Sequence, residues 1–317
     1  MLREKINPLV SIIIPVYNGS NYVGNAIESA INQNYQNIEI IVVNDGSNDN
    51  FATKNKANEF INNIVYLEKD NGGVSTALNL GLKKMNGEYF VWLSHDDILD
   101  HNFVMKAIEI FKEHDCESVF CRNGLLIQDK NHILSWNSWP LSFYNYPFTM
   151  YFNWYYACGI VVKKSVFKNI GNFDSKLKTL QDIKYTLELL NKSDCFFLNE
   201  SLAFRRVHNE QEWADDNIRD LNKIEYGKFI IEIFNNQGIK YFVTNKRNTI
   251  NIFSKIIFIF ILTNIKVFYT PKEITNKFKI NYFKTILYLG IINILNPLFK
   301  IYKYILYKLT AKTIKID

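Results

Sequence analysis

The first hundred residues alternate between short β-branched apolar runs and stretches whose apolar residues recur at helical spacing. Leu9 to Val16 predicts a buried strand, and Ser20 stands where it can cap a helix carrying Tyr22, Val23, Ala26, Ile27, Ala30 and Ile31 on one face. Ile38 to Val43 predicts a second buried strand, ended by Asn44-Asp45-Gly46-Ser47. A polar helix running to about Phe60 follows, then a strand at Ile64 to Leu67. Asn71-Gly72-Gly73 breaks the chain before a helix whose face is Val74, Ala77, Leu78 and Gly81. A fourth strand, Tyr89 to Leu93, runs into Ser94-His95-Asp96-Asp97. Strand and helix alternating in this way predict an α/β fold with a parallel sheet and helices on its faces. The polar segments all follow strands, where open α/β sheets bind ligands.

The pattern changes after residue 130. Between Trp136 and Tyr156, 11 of 21 residues are aromatic, which suits core packing or, for one or two rings, stacking on a ligand. Gly171-Asn172-Phe173-Asp174 reads as a turn, and Gln181-Asp182 opens a helix with Tyr185, Leu187, Leu189 and Leu190. The last hundred residues are rich in Ile, Phe, Tyr and Lys with helical character. The division expected is a catalytic α/β domain over 1–215 and a basic helical region over 216–317.

Composition sharpens this division. The 317 residues carry a net charge of +6, but from Lys240 onward 14 Lys/Arg face two acids, Glu273 and Asp317, giving +12. The preceding 239 residues hold the other 23 bases and 29 acids, giving −6. An acidic module joined to a basic one predicts contact with an anionic surface, a membrane or a nucleic acid. In the tail, Ile256 to Leu262 and the uncharged run Thr285 to Phe299 both fall short of the ~20 apolar residues that span a bilayer. Lys300, Lys303 and Lys308 beside Tyr302, Tyr304, Ile305 and Leu306 instead fit a helix lying in the membrane interface; a protein core or dimer contact would show the same amphipathicity. No nucleic-acid motif is present, so the membrane is the expected partner and nucleic acid is not. Cys116, Cys121, Cys158 and Cys195 have no CxxC spacing, which argues for reduced thiols rather than a zinc ribbon or disulfide scaffold. The short apolar run near the N-terminus, broken by Tyr17-Asn18-Gly19, argues against a cleaved secretion signal.

Adjacent carboxylates at a strand end, Asp96 and Asp97, suit a hard divalent cation, Mg2+ or Mn2+, although a helix cap or solvated turn also uses such a pair. Asp45, at the equivalent end of the second strand, can accept from a base or ribose or form an Asx-turn with Gly46. The chain has no GxGxxG, no GxxxxGK[ST], no HExxH and no GxSxG.

Taken in order, Pro15-Val16-Tyr17-Asn18, Val43-Asn44-Asp45-Gly46-Ser47, Asn71-Gly72-Gly73-Val74-Ser75, Asn86-Gly87-Glu88-Tyr89 and Asp96-Asp97 resemble family 2 glycosyltransferases. The resemblance continues through Cys158-Gly159, Gly171-Asn172-Phe173-Asp174, Gln181-Asp182 and Arg206-Val207-His208, covering about residues 8 to 212. It implies a GT-A fold, Rossmann-like with a mostly parallel sheet, and inverting transfer from a nucleotide-sugar donor, expected to be a UDP-sugar. By position, Pro15, Tyr17 and Asp45 would hold the nucleoside, with Asn71 and Gly72 shaping the adjacent loop. Asp96 matches the last acid of the family's DxD element and would ligate Mn2+ or Mg2+, Asp97 would position donor or acceptor, and Asp182 matches the general base. Arg206 and His208 resemble the family's RxH element and would steady the diphosphate or the metal. Ser94 departs from the pattern, standing where many members have the first Asp, which leaves one carboxylate fewer for the metal. The acceptor implied is a glycan or lipid-linked glycan, at the cytoplasmic face of a membrane. The rivals are a non-catalytic, membrane-attached nucleotide-sugar scaffold and a nucleotidyltransferase.

Overall fold

The computed structural model describes residues 7–127, 132–136, 157–208 and 311–315, with single helical positions between Asn217 and Glu232. The aromatic segment from residue 137 and the basic tail with its Lys-rich amphipathic stretch lie outside the described residues. Residues 7–127, 132–136 and 157–208 belong to one compact unit; the helical positions between Asn217 and Glu232 belong to a second.

The first four strands are parallel, as their alternation with helices predicts. β1 (Val10–Val16) lies between β2 (Ile38–Asn44) and β4 (Tyr89–Trp92), and β3 (Val65–Glu68) borders β2. The helices between them are α1 (Val23–Ile31), α2 (Ala52–Asn58) and α3 (Val74–Lys84). β1 is buried along its whole length, which is why it reads as a continuous apolar run rather than an alternating one. Successive side chains still point to opposite faces. Val10, Ile12, Ile14 and Val16 enter a core with α1 and with α4 (Phe103–Glu113), whereas Ile13 enters a second core with Ala77 and Leu78 of α3. The buried hydroxyl of Ser11 donates to Glu39 (2.5 Å) and accepts from Gly87 N–H (3.0 Å). Glu39 also takes the Asn86 and Gly87 N–H groups, and these hydrogen bonds hold its carboxyl below the ordinary range against the opposing effect of burial. Asn86-Gly87 therefore fastens the start of β4.

Beyond β4 the sheet becomes mixed. β8 (Ile160–Lys163) is antiparallel to β4 and to β6 (Ser118–Ile127), and β6 runs parallel to β9 (Cys195–Val207). β5 (Ile98–Leu99) pairs antiparallel with β9, while β7 (His132–Trp136) follows β6, with β10 (Ala311–Lys315) beside it. α5 (Phe167–Ile170) and α6 (Gln181–Lys192) complete the described helices of this unit. Two reversals of direction between β4 and β6 cancel, so β9 ends at the same edge as β1, β2 and β4. The pairing of Ile98 with Phe204 and Leu99 with Ala203 then brings residues 206–208 beside residues 94–97.

One local expectation fails. No side chain caps α1; the N–H groups of Tyr22 and Val23 go to the Gly19 carbonyl (3.1 and 2.9 Å), so a backbone turn replaces Ser20 in that role.

Candidate active site

The loops after β1, β2, β3 and β4 emerge together and are tied to one another by polar side chains. Asn18, at φ 48°, exchanges amide hydrogen bonds with Asn48 (2.7 and 2.9 Å) and donates its backbone N–H to the Ser47 hydroxyl oxygen (2.9 Å). The β1 and β2 loops are thereby stapled. Gly19 faces the ring of His95, and a Cβ there would lie 2.3 Å from His95 Cδ2, so only glycine admits this contact between the β1 and β4 loops. Burial lowers the His95 pKa, outweighing the upward pull of Asp96. That shift favours the neutral ring beside Asp96.

The sequence-predicted residues fall into three groups. In the first, Asp96, Asp97, Arg206 and His208 are joined directly. Asp96 Oδ2 meets His208 Nε2 at 3.1 Å, and the Asp96 carbonyl accepts from Arg206 Nε at 2.9 Å. Asp97 is 1% exposed and its Oδ1 accepts the Arg206 N–H (3.0 Å), so this carboxylate faces inward and clamps the end of β9. Tyr22, read from the sequence only as part of a helix face, lies under both partners. Its ring centroid is 4.3 Å from that of His208 and 5.2 Å from Arg206 Cζ, a cation–π distance. No local pattern around Tyr22 marks this role, because the partners arrive from 180 residues further along the chain.

The second group centres on Asp45. Its carboxylate is buried and accepts from Lys69 Nζ (2.5 Å), Gly72 N–H (3.1 Å) and Gly73 N–H (2.7 Å). Three of about four acceptor positions on a carboxylate are thus used to shape the Asn71-Gly72 loop, leaving one on Oδ2. Lys69, which sequence reasoning missed, neutralises the charge. Tyr17, 41% exposed, sits at the end of β1 on this edge, while Pro15 is buried within the strand opposite Val43.

Asp182 forms the third group, in the first turn of α6, with Oδ1 accepting the Ile183 N–H (2.7 Å). Burial raises its pKa to about 6, against the lowering effects of the Ile183 and Asp182 N–H groups and the Arg205 charge. Among the described residues no hydrogen bond links Asp182 to either other group. The connection is through packing. Cys158 shares a buried cluster with Tyr185 and Leu189 of α6, and its Sγ meets both the N–H and the hydroxyl of Ser94 at 3.2 Å. Ser94 thus ties the β4 loop to Cys158, whose buried cluster also holds residues of the helix that carries Asp182.

Among the described residues no cluster of three or more His, Cys, Asp and Glu could hold a metal ion. The donor pair present is one carboxylate, Asp96, which suits Mg2+ or Mn2+, and one imidazole, His208, a softer donor; their 3.1 Å contact is a hydrogen-bond distance. The His208 side chain is 5% exposed and its Nδ1 is buried without a hydrogen-bond partner among the described residues. Mg2+ and Mn2+ commonly keep water and substrate phosphate in their remaining positions, so two protein donors suffice.

Comparison with known proteins adds independent findings. The glycosyl transferase family 2 model matches residues 11–170. An uncharacterized glycosyltransferase of Rickettsia typhi is 41% identical over 218 residues, 67% of this chain and 68% of that protein. Relatives in Rickettsia felis, Rickettsia conorii and Rickettsia bellii are longer, and the match covers 30 to 35% of their length. The minor teichoic acid biosynthesis protein GgaB of Bacillus subtilis is 30% identical over 257 residues, 76% of this chain and 28% of that protein. In three dimensions the chain is similar to S. aureus TarS 1-349 solved with UDP-GlcNAc, at TM-score 0.57 and 16% identity, over 81% of this chain and 80% of that one. That likeness shows the shared GT-A architecture.

Proposed function

The chain belongs to glycosyl transferase family 2, and from that premise we propose that it moves a sugar from a UDP-sugar to a hydroxyl of a glycan or lipid-linked glycan, inverting the anomeric carbon. The observation that carries the reading is the arrangement at one sheet edge: Asp96, His208 and Arg206 in hydrogen-bonded contact, with the Asp45-shaped loop on the neighbouring strands. A UDP donor is supported by the complex of the TarS neighbour with UDP-GlcNAc, and a surface-polymer acceptor by the teichoic acid relative.

In this reading Tyr17 flanks the nucleoside, buried Pro15 shapes the strand end that presents it, and Asp45 offers its remaining Oδ2 position while fixing Asn71 and Gly72 beside it. Arg206 lies next to the departing diphosphate and lowers the cost of its developing charge. Asp97 acts indirectly, by holding the backbone of Arg206. Asp96 and His208 would hold Mn2+ or Mg2+, which supplies Lewis-acid stabilisation of the leaving group. Asp182 accepts the proton of the acceptor hydroxyl as its oxygen bonds to the anomeric carbon. The bond from that carbon to the diphosphate breaks, and its electron pair leaves with the nucleoside diphosphate. A carboxylate raised to about 6 is a stronger base than an ordinary one and is still mostly ionised at pH 7. The membrane-surface reading rests on the lysine and aromatic pattern of residues 300–308 and places the enzyme peripherally at the cytoplasmic face. Among the described residues no helix is long and apolar enough to cross a membrane.

The deciding experiment incubates the full chain with a panel of nucleotide sugars and Mn2+ or Mg2+, and measures released nucleoside diphosphate. Release from a UDP-sugar that rises with acceptor supports the proposal. Binding without turnover points to a scaffold, and pyrophosphate release points to a nucleotidyltransferase; either result refutes it.

A further inference from the structure

A second cleft, of about 1070 Å³, opens at the edge where β4 begins and β8 ends, opposite the edge that carries Asp96. Lys83 at the end of α3, Lys164 just after β8 and Lys168 in α5 line it, with Lys163, Asn172 and a single acid, Glu88. The Lys163 ammonium lies 5.6 Å over the Phe111 ring, at the margin. Lys164 donates one proton to the Met85 carbonyl (2.8 Å) and keeps two for a ligand.

Among the described residues some lysines of the domain are paired with carboxylates and others, such as Lys84 and Lys112, are not; the three in this cleft belong to the second set. Lys54, Lys56, Lys69, Lys106, Lys184 and Lys192 each pair with a carboxylate. Among the described residues no carboxylate pairs with Lys83, Lys164 or Lys168, although the first 239 residues carry net charge −6. With three exposed lysines and one acid, Glu88, in its lining, the concavity presents net positive charge to an entering anion. Ammonium groups are compact point charges that suit phosphate oxygens, and the volume lies slightly above the range of about 300–1,000 Å³ usual for small-molecule sites, room for more than one phosphate. We propose that this cleft binds consecutive phosphate groups of a soluble anionic chain, at a site separate from the one where sugar transfer is proposed.

The test uses the full chain and follows acetylation of individual lysines by mass spectrometry, which separates the cleft from the basic tail. Tripolyphosphate should slow modification of Lys83, Lys164 and Lys168 severalfold while leaving Lys112 in α4 unchanged, and inorganic phosphate at equal phosphorus should protect much less. In the Lys83→Gln/Lys168→Gln variant the concentration of tripolyphosphate that protects Lys164 should rise about tenfold or more. Equal protection by inorganic phosphate removes the chain from the assignment. Absence of protection, protection produced by phosphatidylglycerol vesicles but not tripolyphosphate, or an unchanged Lys164 response in the double variant overturns the site.

Discussion

Asp182 gives the most quantitative prediction, because its environment fixes a pH at which the reaction should change. An aspartate near its ordinary value of 3.8 is fully ionised from pH 5 upward and produces no inflection there. Burial at the start of α6 raises this carboxyl to about 6. About one tenth of the molecules then carry the basic form at pH 5 and about nine tenths at pH 7. Since the base must be ionised to accept a proton, log kcat should climb with a slope near one up to about pH 6 and level off above pH 7. Arg205 opposes the shift, so Arg205→Gln should move the inflection upward. Asp182→Asn removes the acceptor and should lower kcat by about 10²–10⁴, or about 2.7–5.5 kcal/mol, with little change in donor affinity. The assay is nucleoside diphosphate release across pH 5–8 at saturating donor, with donor affinity measured separately by calorimetry. An inflection near 6 that persists in the residual activity of Asp182→Asn would assign it to another group and refute the reasoning.

Other consequences follow from the same contacts. Asp97→Ala strips the Arg206 N–H of its buried acceptor and should cost about 2 kcal/mol, seen as a melting temperature lower by about 4–8 °C. His208→Ala should raise the Mn2+ concentration for half-maximal turnover about tenfold or more, and chelation of the metal should abolish wild-type turnover until Mn2+ or Mg2+ is restored. Unchanged metal dependence in that variant would remove His208 as a ligand. Gly81→Ala would place a Cβ 2.5 Å from Ile13 Cγ2 in the core, and overpacking of about 1–3 kcal/mol should exceed the helix-propensity gain of about 1 kcal/mol. A melting temperature at or above wild type would show that α3 moves aside freely.

The sequence by itself determined the parallel half of the sheet. β1 and β2 are flanked on both faces, so they need continuous apolar residues, and their loops need Asn, Asp and Gly; both signals are local and both are legible. The ends of those strands also located Asp45, Asp96 and the Asn71-Gly72 loop, and the first turn of α6 located Asp182. The sequence could not show how these side chains are used. Asp97 reads like Asp96 along the chain, yet one faces inward to the Arg206 backbone and the other reaches His208. Asp45 reads as an open acceptor, yet most of its capacity is spent on Lys69, Gly72 and Gly73. Tyr22 under His208 and Arg206, and the lysine cleft between α3 and α5, depend on the pairing of β9 with β5, just past the end of β4, and on helices packed from distant segments. Hydrophobic period and turn chemistry act over a few residues, so they write themselves into the sequence. The direction of a charged side chain and the cost of burying it are set by neighbours a hundred or more residues away, and only the folded chain decides them.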